Sequence, residues 1–363
     1  MTTYRPSRRE FAAGLVSVAA AELLFSHGLT ARQETPHRVD FHCHFRPPTW
    51  EAFLKAQGGL RLTNSWTLSQ HLEDMDQGGV RTSLLSLASP GIWHGTDLAA
   101  IRKMAREVNE FSAKLGADHP GRFGMFATLP LMDIDGSLRE VEYAYDVLKT
   151  DGISMRTPYD RILSGDPIFA PLYEELNRRR AVVFTHPQDS PCCTDLVPGV
   201  ESGSTIEYAT GTTRAIMSLL VSGTAARYPE IRWVFAHAGG TMPFLAARIV
   251  GRKLPIGADG LVTLDPSDTS RSDGQGRLDQ LRRFFYEVAQ QTNSVALGAL
   301  RKLVPASQIV FGTDYPASNS GGRATPISDH ADGLSQQTGV FTADELRAIE
   351  SENALRLFPR FRA

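Results

Sequence analysis

The chain has 363 residues, of which 42% are hydrophobic and 21% charged, a composition typical of a soluble globular protein with a sizeable core. Its formal net charge at pH 7 is −2, and no run of lysine or arginine is long enough to form a nucleic-acid or anionic-membrane surface. Nucleic-acid and membrane partners are therefore not expected, whereas a small soluble ligand is.

The first 35 residues are predicted to be an export signal and linker. Arg8 and Arg9 precede a moderately apolar stretch from Phe11 to Ala21, which is typical of a bacterial twin-arginine signal. This stretch is too short to cross a membrane, and no other segment is a candidate for doing so. The pattern predicts a periplasmic protein. A cytoplasmic protein with an N-terminal extension is the alternative, favoured by Glu22, which interrupts the apolar run.

From residue 36 to residue 363, eight short runs rich in β-branched or aromatic residues alternate with amphipathic stretches. The runs are Arg38–His42, Thr82–Leu87, Phe123–Leu129, Gly152–Met155, Ala181–His186, Ile231–His237, Phe284–Val288 and Gln308–Gly312. This alternation predicts βα units and one α/β domain, a single (β/α)₈ TIM barrel. A doubly wound open sheet is the alternative fold, but eight consecutive units favour the barrel.

Helix and loop patterns agree with this assignment. Apolar residues at helical spacing follow the first run at Leu68, Leu72 and Met75. Thr342, with Glu345 three residues later, predicts a capping box at the start of the final helix. The segment 46–65 is long for a βα connection, and in a barrel it would lie over the C-terminal mouth, where substrates bind.

The most informative stretch is Asp40-Phe41-His42-Cys43-His44. Residues two apart on a strand share a face, so His42 and His44 are expected to project into the barrel mouth while Phe41 and Cys43 pack against helices. Two adjacent imidazoles provide half of a metal site, although such a pair can equally lie on a strand surface. Asp40 is expected either to orient an imidazole or to form hydrogen bonds within the barrel wall.

Three more polar residues end predicted strands: His186 the fifth, His237 the sixth and Asp314 the eighth. Each alone is more simply a core or loop residue, but strand ends of a barrel converge on one rim, so together they predict a metal site. Three imidazoles and a carboxylate suit Zn²⁺, with Mn²⁺ or Fe²⁺ as alternatives. The end of the fourth strand, Ser154–Thr157, has no lysine to bridge a second ion, which favours one divalent ion.

The order HxH, His, His and Asp over strands one, five, six and eight resembles the amidohydrolase superfamily. Within it, the chain is similar to metal-dependent nonoxidative decarboxylases that act on aminocarboxymuconate semialdehyde, γ-resorcylate or 6-methylsalicylate. The resemblance extends from residue 38 to the C-terminus. It rests on Val39-Asp40-Phe41-His42-Cys43-His44-Phe45, His119-Pro120-Gly121-Arg122-Phe123-Gly124, Thr185-His186-Pro187, His237-Ala238-Gly239-Gly240, Phe311-Gly312-Thr313-Asp314-Tyr315-Pro316 and Asn353-Ala354-Leu355-Arg356-Leu357-Phe358. The 6-methylsalicylate type is the most similar, through Ser89-Pro90-Gly91 and Gly165-Asp166-Pro167.

The resemblance implies roles for individual residues. The implied metal ligands are His42, His44, His186 and Asp314. His237 would act beside the metal as an acid/base or electrostatic group. Arg248 matches an arginine that reaches a neighbouring subunit's substrate carboxylate, which implies a homodimer, although it is equally a surface arginine. Some relatives use an arginine from the loop after strand one, and both Arg46 and Arg61 lie there.

The implied reaction is decarboxylation of a small aromatic, hydroxybenzoate-like carboxylic acid. A hydroxyl ortho to the carboxylate would let the substrate bind the metal through two oxygens, with Asp314 as proton carrier and His237 assisting. Trp93 and Tyr315 are expected in loops over the mouth and are candidates to contact the ring, or are packing aromatics. Hydrolysis of a lactone or amide by the same metal is the alternative reaction. A catalytically silent metal-binding scaffold is a third hypothesis.

Overall fold

The structure is a computed structural model. It describes residues 37–56, 66–92, 97–159, 161–190, 193, 197, 200, 203–317 and 325–362. The predicted export signal, residues 1–35, therefore lies outside the described residues. From His37 onward the chain forms one compact unit. Among the described residues, no helix has both the length and the apolar character needed to cross a membrane.

Eight parallel strands follow one another around the sheet in the order in which they occur in the sequence. They are β1 Arg38–Phe45, β2 Val80–Leu87, β3 Phe123–Thr128, β4 Gly152–Thr157, β5 Val182–Pro187, β6 Arg232–Phe235, β7 Phe285–Glu287 and β8 Ile309–Val310. All eight predicted runs are confirmed as strands. The sequential order excludes the doubly wound sheet, because such a sheet requires a reversal of strand order.

Backbone hydrogen bonds between β1 and the segment that follows β8 close the ring. Phe41 N donates to Phe311 O at 2.9 Å, and Asp314 N donates to His42 O at 2.7 Å. Cys43 and Tyr315 form a parallel bridge one step further along. The architecture is therefore the predicted (β/α)₈ barrel, and its closure brings the end of the chain beside the first strand.

Helices follow the strands and cover the outside of the barrel. They are α1 Pro48–Ala56, α2 Leu68–Gln77, α3 Leu98–Asp118, α4 Ile134–Asp146, α5 Ala170–Arg178, α6 Glu207–Val221, α7 Thr224–Arg227, α8 Ala246–Ile249, α9 Gly274–Leu281, α10 Ser294–Leu303, α11 Ile327–Ser335, α12 Ala343–Arg347 and α13 Asn353–Leu357. The predicted long loop after the first strand contains α1. Both hydrogen bonds of the predicted capping box are present between Thr342 and Glu345 at the start of α12, which confirms that prediction.

Short 3₁₀ segments and one π-helical turn complete the secondary structure. The 3₁₀ segments are Pro167–Phe169, His237–Gly239, Met242–Leu245, Ala306–Gln308 and Pro359–Phe361. The π-helical turn, Ala348–Glu352, joins α12 to α13. The 3₁₀ segment His237–Gly239 directly follows β6 and therefore shapes the C-terminal rim of the barrel, where the predicted site residues lie.

Phenylalanine side chains fill the barrel interior below the site. The Phe41 ring lies 5.3 Å from the Phe126 ring and 5.4 Å from the Phe358 ring, and Phe126 lies 5.4 Å from Phe184. Phe41, Phe126 and Phe184 are at most 1% exposed, and burying such a side chain contributes roughly 1.5–3 kcal/mol. This aromatic layer packs below the polar residues at the C-terminal end of the barrel.

The expected helix-facing orientation of Phe41 is wrong, whereas Cys43 packs in the outer core as predicted. The pairing of β1 with β2 changes register between Asp40 and Cys43, so strict alternation fails there. Asp40 stabilises this irregularity: its carboxylate accepts hydrogen bonds from the backbone nitrogens of His42 and Thr313, both at 3.1 Å, and from the Thr313 hydroxyl at 2.7 Å. Of its two expected roles, Asp40 therefore fulfils the one in the barrel wall.

Candidate metal centre

Four predicted residues converge at the C-terminal end of the barrel. His44 Nε2 lies 3.1 Å from His42 Nε2 and 3.2 Å from His186 Nε2. Asp314 Oδ1 lies 3.1 Å from His42 Nε2 and 3.0 Å from His44 Nε2. Four atoms that bind one Zn²⁺ at about 2.0–2.1 Å in a tetrahedron would lie roughly 3.3 Å apart. The donor set and its spacing therefore fit one ion.

His237 lies at the edge of the same group. His42, His186, His237 and Asp314 offer donor atoms that all lie within 4.8 Å of one another. His237 Nε2, however, is 3.3 Å from Asp314 Oδ2, the oxygen that does not face the other histidines. The shorter distances thus select His44 over His237 as the fourth member of the compact cluster.

Unusual backbone conformations deliver the side chains that follow β6 and β8. Asp314 has φ = 61° and His237 has φ = 57°, values in the left-handed region that is uncommon for residues other than glycine. The Asp314 nitrogen is held by the His42 carbonyl, and the His237 nitrogen donates to Glu287 Oε1 at 2.5 Å. These long-range hydrogen bonds fix both turns toward the cluster.

Each ligand-like imidazole is also held on its far side. His42 Nδ1 is 2.8 Å from Glu287 Oε1, and His44 Nδ1 is 2.9 Å from Ser86 Oγ. His186 Nδ1 lies 2.5 Å from its neighbour's carbonyl, Pro187 O. When an imidazole donates from Nδ1 to an oxygen, as His42 and His44 can, its Nε2 keeps a lone pair for a metal. The three Nε2 atoms therefore face the centre of the cluster as potential ligands.

Glu287, at the end of β7, was not predicted from the sequence. Its fully buried carboxylate accepts from His42 Nδ1, from the His237 backbone and, through Oε2, from Ala289 N at 2.6 Å. Burial opposes its ionisation, but the charge and hydrogen bond of His42 hold the pKa of Glu287 below its ordinary value. The sequence signal that could have identified Glu287 is a single carboxylate at the end of an apolar strand. Asp314 gives a similar signal, because it lies shortly after β8.

Burial and charge set the protonation of the cluster. Burial lowers the pKa of His44 to about 4 and that of His186 well below its ordinary value, so both imidazoles are neutral at pH 7. Burial opposes ionisation of Asp314, but the neighbouring His42 and hydrogen bonds from the histidines hold its pKa well below the ordinary value. His44 and His186, neutral beside an ionised carboxylate, are donors that borderline divalent ions prefer. Burial opposes protonation of His42, but the carboxylates of Glu287 and Asp314 raise its pKa to about 10, so an ion that binds its Nε2 must displace a proton.

The sequence comparisons place this site in a known family. The profile of the Amidohydrolase family matches residues 39–360. The chain belongs to the amidohydrolase family. The decarboxylase yanB of Aspergillus niger is 33% identical to it over 343 residues, covering 89% of this chain and 88% of that protein. The 6-methylsalicylic acid decarboxylase of Penicillium expansum is 31% identical over 336 residues, covering 90% and 97%.

Solved structures agree with the family assignment at the level of fold. The dihydroxybenzoic acid decarboxylase of a Polaromonas species, solved with bound manganese and the inhibitor 2-nitroresorcinol, superposes with a TM-score of 0.72. It is 21% identical and covers 90% of this chain and 98% of that one. The predicted decarboxylase branch of the amidohydrolase superfamily is confirmed, and the chain groups with its carboxy-lyases.

Of the remaining predicted site residues of this amidohydrolase, Tyr315 and Arg248 lie outside the cluster. Tyr315 is 3% exposed, and its ring packs 4.6 Å from the His71 ring of α2, outside the strands. This packing agrees with the second of its two expected roles, that of a packing aromatic, while a contact of Tyr315 with the substrate ring stays a prediction. Arg248 is exposed on α8. Trp93 and Arg61 fall outside the described residues.

Two further residues border the cluster without having been singled out as site residues. Gln290, with φ = 59°, donates from Nε2 to Asp314 Oδ2 at 3.1 Å, so the outer carboxylate oxygen contacts both Gln290 and His237. Arg156, at the end of β4, lies against His186, its Nη1 being 2.8 Å from Nδ1. Neither residue matched a pattern of metal ligands, and their contacts arise only when the barrel closes.

Proposed function

We propose that this protein is a metal-dependent nonoxidative decarboxylase of a small aromatic acid that carries a hydroxyl ortho to its carboxylate. One observation carries the proposal: among three imidazole nitrogens and a carboxylate oxygen, neighbouring atoms lie 3.0–3.2 Å apart, in a chain about one-third identical to decarboxylases. The acid on which the Penicillium relative is named to act, 6-methylsalicylic acid, is an ortho-hydroxy acid of this kind.

The residues present fit one divalent ion. His42, His44, His186 and Asp314 would hold it, with Glu287 and Ser86 behind two of the imidazoles. Zn²⁺ suits three nitrogens and one oxygen, and Mn²⁺ is the alternative that the Polaromonas structure supports. When bound, the ion would hold the carboxylate and hydroxyl oxygens of the substrate and damp their negative charge.

The carboxylate of Asp314 is placed to handle the proton. Decarboxylation requires that the ring carbon bearing the carboxylate take up a proton, after which carbon dioxide leaves and its bonding electrons return to the ring. A carboxyl group beside the substrate can supply this proton once it has taken one up from a neighbouring group. His237 Nε2, 3.3 Å from Oδ2, can pass a proton to Asp314, and Gln290 fixes the same oxygen.

Two arginines outside the cluster are proposed to meet the substrate's negative charge. Arg46, directly after β1, is half-buried, and its Nε and Nη1 atoms have no partner among the described residues. Arg248 is proposed to act across a homodimer interface. Support comes from its exposure and from two apolar neighbours, Phe244, which is 67% exposed, and Leu245, which is 36% exposed. We also retain Trp93 as a proposed contact of the ring.

The decisive experiment is carbon dioxide release from a panel of hydroxybenzoates by the full chain loaded with Zn²⁺ or Mn²⁺. We expect release from an ortho-hydroxybenzoate and at least a 100-fold loss in the Asp314→Asn variant. Asp279→Asn, an exposed aspartate on α9, is the matched control and should keep full activity. No release from any member with one ion per chain, but turnover of a lactone or amide, would instead establish the hydrolase alternative.

We propose in addition that residues 1–35 export the protein to the periplasm as a folded, metal-loaded enzyme. The twin arginines Arg8 and Arg9 support this proposal. Fractionation of cells that produce the full chain tests it, with an Arg8→Lys, Arg9→Lys variant as the comparison. Export that is lost in the double variant is expected, and equal retention of both chains in the cytoplasm would contradict it.

A further inference from the structure

Arg156 is a buried cation beside the metal centre. It lies at the end of β4 and is 5% exposed. Its Nη1 donates to Ser89 Oγ at 2.6 Å and lies 2.8 Å from His186 Nδ1, while Nη2 donates to the Leu87 carbonyl oxygen. The guanidinium therefore spans from the loop after β2 to one of the proposed metal ligands.

The partners of this guanidinium are all uncharged. Within the described part of the chain, Arg156 forms no ion pair with a carboxylate, whereas the partly buried Arg106 and Arg179 each contact one. An arginine remains protonated in a protein, and a buried charge without a counter-ion is costly. Such a residue is stabilised when an anion binds next to it.

The surroundings of Arg156 show which side is open to a ligand. One side of the residue contacts His186, and another lines a cavity of about 20 Å³. The cavity walls are mostly apolar, for example Ile92, Leu129 and Leu131. A space of this size admits one small group and excludes an aromatic ring. A ring would therefore lie on the cluster side, and only a substituent could reach the guanidinium.

We infer that Arg156 binds the carboxylate of the aromatic acid, next to the cluster, in a subsite formed by β4 and the loop after β2. A guanidinium offers two parallel N–H groups that match a carboxylate, and low-polarity surroundings strengthen the attraction. The inference rests on the proposed function and adds the residue that recognises the acid group. It also explains why a cation without a counter-ion is kept beside metal-binding residues.

The test measures the binding of two probes that differ in one carboxylate. The full chain, loaded with Zn²⁺, is titrated calorimetrically with benzoate and with phenol. In Arg156→Gln the affinity for benzoate should fall by about 10- to 100-fold, as expected when one charged hydrogen-bonding partner is lost. Phenol affinity should change by less than threefold, and Arg156→Lys should recover part of the benzoate affinity.

Matched controls separate carboxylate recognition from a structural role. Arg282 is half-buried and also donates to backbone carbonyls, those of Leu303 and Val262, but not at the barrel mouth. Arg282→Gln should leave both affinities unchanged. The metal content of each variant is measured, because Arg156 also contacts His186, and one ion per chain in Arg156→Gln is expected.

Three results would overturn the inference: equal losses of benzoate and phenol affinity in Arg156→Gln, loss of the ion from that variant, or wild-type protein that binds no benzoate. The first two would assign Arg156 to supporting His186. Failure of the proposed function is distinguishable from these results. A wild-type protein that binds benzoate through Arg156 but releases no carbon dioxide from any hydroxybenzoate would refute the decarboxylase and retain the carboxylate subsite.

Discussion

At the scale of single residues, Glu287 links three parts of the centre. One carboxylate oxygen accepts from the His42 ring and from the His237 backbone, and the other accepts from Ala289 N. It therefore orients a proposed ligand and fixes the turn that carries the proposed acid/base residue. Partners behind metal-binding histidines act through the ligand, because they set which ring nitrogen is protonated and how the ring is oriented.

We expect Glu287→Gln to weaken metal binding by about 10- to 100-fold. The amide would present its NH₂ group either to Ala289 N–H or to the two donors at Oε1, so at least one hydrogen bond must become a repulsion. Competition titration with a chromogenic chelator measures the change. Glu350→Gln is the matched control, since Glu350 is a partly buried glutamate that pairs with Arg38 at the start of β1. Equal metal affinity in wild-type protein and Glu287→Gln would contradict this role.

Some of the candidate site residues could be identified from the local sequence, and others could not. His42, His44, His186 and Asp314 were identifiable because each follows or ends an apolar run, and parallel strands of a barrel end on one rim. Glu287 ends its strand in the same way but lacked a ligand motif. Its role depends on hydrogen bonds to β1 and to the turn after β6, and such long-range pairing has no local pattern.

At the scale of secondary-structure elements, β1 shows the limit of pattern analysis. Its position followed from composition, but the sides to which its residues point did not. Asp40 hydrogen-bonds to Thr313, 273 residues later, and the register of β1 against β2 shifts at that place. Alternation assumes a regular strand. Alternation therefore predicted the side to which both histidines point correctly and that of Phe41 incorrectly. The irregularity has no local signal, because Thr313 reaches β1 only in the folded barrel.

Helix α2 contributes a pH-sensitive contact through His71. This residue is fully buried, Trp66 Nε1 donates to its Nδ1 at 3.1 Å, and its ring packs on Tyr315. Burial lowers the pKa of His71 from 6.5 to about 3. Below pH 6.5 the unfolded chain binds a proton at this position that the folded chain does not. The stability that depends on His71 is therefore full above pH 6.5 and decreases as the pH falls toward 3.

We expect His71→Gln to reduce the acid sensitivity of folding. Glutamine does not titrate, and its amide oxygen can still accept from Trp66. Between pH 7 and pH 5 the wild-type free energy of unfolding should fall by about 2 kcal/mol more than that of the variant. Urea unfolding at both pH values measures this difference, and groups unaffected by the substitution cancel. Identical losses in the two proteins would show that folding does not shift the pKa of His71.

At the scale of the whole molecule, the two ends of the barrel differ in chemistry. The interior toward the N-terminal end is filled by aromatic residues such as Phe41, Phe126 and Phe358, and the histidines and carboxylates occupy the C-terminal end. The division follows from the topology, because every strand delivers its last residues to the same rim. The fold could therefore be predicted largely from the eight apolar runs. Contacts between two chains leave no such periodic pattern in the sequence, so they could not be predicted in the same way.

The role proposed for Arg248 concerns the assembly of whole molecules. Among the described residues, its exposed side chain forms no ion pair within its own chain. It is carried by the short helix α8, directly after the apolar residues Phe244 and Leu245, which remain exposed. Large exposed apolar side chains next to an exposed arginine are typical of protein–protein interfaces. If a second copy covers this surface, Arg248 can serve the neighbour's site, and each site would then need two chains.

Mixing two inactive variants tests this arrangement. Arg248→Ala lacks the proposed donor in trans, and His237→Asn lacks the proposed acid/base group in cis. A heterodimer of the two has one site with both functional residues and one with neither. After equal amounts are mixed and allowed to exchange, about one quarter of all sites should be intact, because half of the dimers are mixed. Carbon dioxide release should rise from near zero to about a quarter of the wild-type rate. If exchange is verified by mass but no activity returns, Arg248 acts within its own chain. Full activity of Arg248→Ala alone would show that it has no role.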